Sequence, residues 1–193
     1  EMEQLIDKAL SEGAAGVSLG LMYEPSQFAP TEELLRIAKV VKKHNKVLSY
    51  HIRALSKVST SYTPPIGGRP HILRALDEVI DIAKQTGVKT QVSHLIFVGE
   101  KTWSCVDEAL AIMEKANEDG LDIMFDIYSL TFGASIITVI MPLWYLSIPK
   151  EKREKAITRL RLALEMAVTK RALGFNFNDV MVSNTKGVMK EIE

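Results

Sequence analysis

Residues 47–53, VLSYHIR, read as a β-strand that carries apolar side chains and then ends in a histidine and an arginine. A second stretch at 88–95, VKTQVSHL, has the same form, with His94 at its far end. Between them, HILRALDEVIDIAKQTG (71–87) has a helical pattern, opened by Pro70 and closed by Gly87, the residues that favour a helix start and stop. Strand, helix and strand in this order make a βαβ unit, so the fold depends on whether the unit repeats.

It does repeat. Working outward, GVSLGL (16–21) precedes the helix TEELLRIAKVVKKH (31–44), where Leu34, Ala38 and Val41 fall at helical spacing. Glu32 and Glu33 sit in its first turn and Lys42 and Lys43 in its last, matching the helix dipole. Downstream, WSCVDEALAIMEKANEDG (103–120) reads as a helix with a terminal glycine, and LDIMFDIY (121–128) as another strand. A longer loop with MPLWYL (141–146) leads to a helix over KEKREKAITRLRLALEMAV (150–168), and DVMVS (179–183) is a weaker fifth strand.

Strands therefore alternate with helices at about 35 to 40 residues, the spacing of parallel βαβ units whose strands are covered on both faces. No G-x-G-x-x-G or P-loop follows any strand, which removes the usual marker of the nucleotide-binding doubly wound fold. The expected class is α/β, a (β/α) TIM-barrel type in the form of a partial barrel of about four to five parallel strands. A full barrel takes ~250 residues, so residues 1–193 are expected to be one domain that is only the central part of a barrel, without its first strands and its last.

Composition narrows the partners. Lys plus Arg and Asp plus Glu both number 24, and the formal net charge is +0. Such a chain has no field to draw nucleic acid or an anionic membrane. The longest apolar run, IITVIMPLWYL (136–146), is broken by Pro142 and falls short of the roughly 18 to 20 residues of a membrane span. The single Cys105 excludes an internal disulfide, and a cytoplasmic location is the default.

In βα barrels chemistry gathers where strands end. His51 and Arg53 end the second strand, His94 the third, and Asp126 with Tyr128 the fourth, while Tyr23 follows the first. Neutral imidazole is a common metal ligand, and two on adjacent strands can meet one ion. Each residue has a structural alternative. The histidines can be hydrogen-bonded strand ends, Asp126 can cap the next loop, Arg53 can pair with a carboxylate across the sheet, and Tyr23 can close a turn ahead of Pro25. His44 and His71, at helix ends, are expected on the surface, and Cys105 as a small hydrophobe. Gly67, Gly68 and Arg69, ahead of a helix N-terminus, form either an anion site or a plain loop.

At this point the chain resembles a known family. GAAGVSLGLMYEPSQFAPTEELLRIAKVVKKHNKVLSYHIR (13–53), ALDEVIDIAKQTGVKTQVSHL (75–95), ALAIMEKANEDGLDIMFDIYSLTFGAS (109–135) and MPLW (141–144) are similar, in order, to the N-acyl-D-amino-acid deacylases of the amidohydrolase superfamily. A weaker echo continues in GFNFNDVMVSNTKG (174–187). The resemblance implies a metal-dependent TIM barrel in which this chain supplies roughly the fourth to seventh strands. It implies zinc or another divalent metal, with His51 and His94 as two of its ligands. It also implies that Tyr23, Arg53 and Tyr128 lie near the pocket for a small-molecule N-acyl amino acid, whose amide a metal-activated water attacks. No catalytic residue is assigned. The family's H-x-H pair, cysteine ligand and catalytic aspartate have no counterpart here.

Other positions depart as well. Ala54 and Leu55 stand where the family tends to carry acidic residues, Ile96 where it has lysine, and Ser129 where it has proline. The metal site in this chain is therefore expected to be incomplete and the isolated chain inactive. Hydrolysis of cyclic amides, or a catalytically silent α/β scaffold, are the other readings. Open strand edges lead to the expectation of a homo-oligomer.

Overall fold

The computed structural model describes residues 1–59, 61–62, 68–135, 141–174 and 177–181. Four strands form one sheet in the order β1 (Gly16–Gly20), β2 (Val47–His51), β3 (Lys89–Val92) and β4 (Ile123–Phe125), and each pairs in parallel with its sequence neighbour. Helices α1 (Met2–Ser11), α2 (Thr31–Lys43), α3 (His71–Thr86) and α4 (Val106–Glu118) alternate with them. Beyond β4 come α5 (Leu143–Ser147), α6 (Lys150–Arg153) and α7 (Ala156–Leu173). This is an α/β layer of sequential parallel strands, as the βαβ repeat predicts.

The helices form for local reasons. α2 buries Leu34, Ile37, Ala38 and Val41, the one-sided stripe of a surface helix. α3 buries nine residues, from His71 to Ala83, because it packs on the sheet between α2 and α4. It stops at Gly87, whose left-handed φ of 64° suits a residue without a Cβ. Gly16 has a different role, since a Cβ there would collide with the carbonyl of Val47 on the neighbouring strand.

Strand alternation gives the sheet two unlike faces. Leu48, Tyr50 and Val92 are fully buried against the helices, with Thr90 beside them at 3% exposure. The opposite face carries the register row Ser18, Ser49, Gln91 and Met124, and Met124 is 65% exposed. Strands covered on both faces were expected; here only the helix-side face is fully buried, and the polar face rises one step further to His51.

Several expected boundaries move. The fourth strand pairs only over Ile123–Phe125, although the Asp126 N–H still reaches the Val92 carbonyl at 3.2 Å. The long helix from 150 is two helices, parted at Glu154 and Lys155. Of the fifth-strand residues, Asp179 ends a 3₁₀ turn, 180 and 181 are irregular, and the rest lies outside the described residues. His71 is not a surface residue: it is 1% exposed, and its Nδ1 accepts the Ser59 N–H at 2.8 Å. His44 is half-buried and holds Asp7 of α1 at 2.6 Å. Among the described residues no helix is long and apolar enough to cross a membrane.

Candidate metal centre

The polar face of the sheet delivers the site. His51 ends β2 in register with Gly20 of β1, and Tyr23 follows β1 by one turn, its N–H bonded to the Gly20 carbonyl at 3.1 Å. The Tyr23 hydroxyl lies 3.2 Å from Nε2 of His51. His94 stands two residues beyond β3, and its ring centroid is 5.9 Å from that of His51, edge to face. Tyr128 closes the other side, 4.5 Å from the His94 ring between centroids. Gly133 lets the following loop cross the Tyr128 ring, where a Cβ would clash. Tyr23, His51, His94 and Tyr128 thus form one contiguous group at the strand ends.

His94 is braced from behind. Its Nδ1 is 3.1 Å from Oδ1 of Asp126, while Oδ2 accepts hydrogen bonds from Ser93 Oγ at 2.7 Å and Gln91 Nε2 at 3.0 Å. Burial pushes the Asp126 carboxyl upward, but the hydrogen bonds from Ser93, Gln91 and His94 outweigh it and hold the group below the usual range. An ionised carboxylate only accepts, so His94 presents Nδ1–H to it and keeps Nε2 as a lone pair. Asp126 is therefore an orienting group for His94, where the sequence offered only a loop cap. Ser93 and Gln91 carry no local sequence signal for this role, yet both alternate onto the same face as Asp126.

His51 is held neutral. Burial lowers its pKa and nearby His94 lowers it further, while backbone polar groups at Ile52 and His51 oppose the shift. Its Nδ1 is buried and makes no hydrogen bond of sound geometry among the described residues.

These residues fit a metal in part. Two imidazoles on one tetrahedral zinc, with Zn–N of about 2.0–2.1 Å, keep their centroids roughly 5 Å apart. The observed 5.9 Å is close to that. Among the described residues no group of three or more His, Cys, Asp or Glu side chains comes together to hold an ion. The pair is half of a site, since even catalytic zinc takes three protein ligands.

Arg53, expected near the pocket, has its side chain engaged by the protein. Its guanidinium forks onto Glu78 of α3 at 2.9 and 3.0 Å and donates to the carbonyls of Gln27 at 2.6 Å and Ala29 at 3.1 Å. With its side chain 7% exposed, it is occupied by the protein and not offered to a ligand, so the pairing with a carboxylate is the arrangement found. Burial opposes its charge, but hydrogen bonds to Glu78 and the charge of Glu78 hold it cationic. Arg69 is likewise taken up, by Asp77 and Glu108 at 2.7 Å each, and Gly67 lies outside the described residues. Cys105 is buried, as a small hydrophobe should be.

No family model matches the chain. Over 136 residues, 70% of the chain, it is 29% identical to the N-acyl-D-glutamate deacylase of Alcaligenes xylosoxydans xylosoxydans, and over the same extent 26% identical to the D-aminoacylase of that organism. Among solved structures, N-acyl-D-glutamate deacylase from Bordetella bronchiseptica, in complex with zinc and a phosphonate mimic of the tetrahedral intermediate, is similar with a TM-score of 0.59 and 29% identity, over 67% of this chain and 24% of that one. A D-aminoacylase with a binuclear metal centre gives 0.57 at 29% identity, over 67% and 24%. The chain spans about a quarter of the length of these relatives, 25% of each curated one. Over about two thirds of its length the chain is thus similar, in sequence and in its parallel βα fold, to N-acyl-D-amino-acid deacylases of the amidohydrolase superfamily.

Proposed function

We propose that this chain forms part of a metal-dependent hydrolase that cleaves the amide of N-acyl-D-amino acids, a non-peptide carbon–nitrogen bond. In this reading His51 and His94 hold a zinc or other divalent ion, and Tyr23 and Tyr128 border the substrate. The observation that carries it is the pair of imidazoles from neighbouring strands, 5.9 Å apart, one of them braced by a carboxylate. A bound zinc supplies an activated water and a polarised carbonyl. The chain's own residues do the rest of what is assigned here. Asp126 fixes the His94 tautomer, the usual task of a carboxylate behind a metal histidine. Tyr23 offers a hydroxyl and Tyr128 a ring face to a small N-acyl amino acid.

Two ligands are too few for turnover, so the isolated chain is expected to be inactive, and residues 1–193 are read as one domain, the central part of a (β/α) barrel. The balanced charge supports a small-molecule partner over nucleic acid or membrane, and the single buried Cys105 supports a cytoplasmic setting. Among the described residues β4 is a sheet edge, with Met124 and Phe125 exposed at 65% and 39%, which supports a homo-oligomer. A strictly monomeric species in sedimentation at high concentration would count against that part.

A second reading, a silent α/β scaffold, is favoured by one observation. Ala54 and Leu55, where the family carries acidic residues, are sealed in the core at 0% and 5% exposure. Zinc calorimetry on this chain beside a His51→Ala, His94→Ala double variant separates the two. Stoichiometric binding lost in the variant supports the metal reading, and identical titrations favour the scaffold.

A further inference from the structure

We infer that Arg53 is a positioning residue: it ties the loop between β1 and α2 to α3 and thereby sets the Tyr23 hydroxyl against His51. The inference rests on the proposed role of that pair as the heart of the site.

Arg53 lies two residues beyond His51 on the same chain segment, so its backbone and that of His51 move together. Its side chain grips the carbonyls of Gln27 and Ala29 in the loop that also carries Tyr23. The Gln27 N–H in turn bonds the Tyr23 carbonyl at 2.8 Å, and the Tyr23 N–H bonds Gly20 at the end of β1. Tyr23 is thus held on one side by its own strand and on the other by a turn whose far end Arg53 grips. The hydroxyl at 3.2 Å from His51 Nε2 sits at the middle of that closed path.

Arginine suits the task where lysine would not. Four of its five donors are used here, two on one carboxylate and two on separate carbonyls, and only a planar fork supplies them in fixed directions. Glu78, 15% exposed, keeps the guanidinium from being an unpaired buried charge. The pair therefore stabilises a loop position as well as the fold.

The test reads the metal-free chain by nitrogen-15 imidazole spectra. Tyr23→Phe is expected to shift the His51 Nε2 resonance. Arg53→Lys and Glu78→Gln are each expected to shift it in the same direction, and Arg53→Lys combined with Tyr23→Phe to shift it no further than Tyr23→Phe alone. Val79→Ala, which empties space at a fully buried site next to Glu78 in sequence, controls for general loosening and should leave the resonance in place. An unmoved resonance in folded Arg53→Lys or Glu78→Gln overturns the inference, as does an added shift in the double variant or no shift in Tyr23→Phe. Should Arg53→Lys fail to fold, Glu78→Gln decides alone. Because no metal or substrate is present, failure to bind zinc would sink the functional reading and leave this result standing. The reverse, zinc binding with an unmoved His51, would sink only the inference.

Discussion

The hydroxyl of Tyr23 reaches to 3.2 Å from Nε2 of His51, occupying the ring nitrogen that a metal ion would use. The contact joins β1 to β2 at the mouth of the site and places the Tyr23 hydroxyl in competition with an ion for that nitrogen in the metal-free chain.

Replacing Tyr23 by phenylalanine should therefore tighten zinc binding. A neutral hydrogen bond is worth about 0.5–1.5 kcal/mol net, so the gain should be roughly 2- to 10-fold, read by calorimetry. Weaker binding in Tyr23→Phe would show that the hydroxyl assists the ion.

Asp126→Asn should act in the opposite direction. The amide can no longer serve as an ionised acceptor for His94 Nδ1, and loss of such a partner typically costs on the order of 10- to 100-fold in metal affinity. Unchanged affinity would mean that the Ser93 and Gln91 contacts to Asp126 are structural only.

Arg53→Ala should destabilise the fold by about 3 kcal/mol in urea unfolding, because it strands the Glu78 carboxylate and two carbonyls in the interior. Arg53→Met with Glu78→Leu should recover more than half of that loss, since removing both charges avoids the stranded one. A loss below roughly 0.5 kcal/mol for Arg53→Ala, the range of an ordinary surface change, would contradict the burial of this pair.

Stability should fall with acid through the histidine range. His51 titrates below its ordinary 6.5 in the fold, so the unfolded chain binds the proton first and stability rises with pH across the interval beneath 6.5. It is lost as pH drops through that interval. His51→Gln should flatten this limb of the urea midpoint against pH, leaving the separate loss at lower pH that follows from the depressed Asp126 carboxyl. An equally steep limb in His51→Gln would assign it to another group.

Much of this protein can be read from short-range pattern. The four parallel strands, the helices between them and the stop at Gly87 follow from alternation, helical spacing and capping, all of which act within a few residues. So does the position of both histidines at strand ends, and the ordered similarity of the segments around them. What Arg53, Asp126 and Tyr23 do was settled by partners far away in the chain. Glu78 lies 25 residues from Arg53, Asp126 32 from His94, and His51 28 from Tyr23. Nothing local distinguishes an arginine destined for a substrate from one destined for a buried glutamate, and nothing local marks His71, at a helix start, for the Ser59 N–H that it accepts. Local pattern determined the strands and which side chains stand at their ends. Only the packing of α3 and the β1–α2 loop on the sheet decided which of those side chains stay free for a ligand, because a polar group's role is fixed by whichever partner removes it from water.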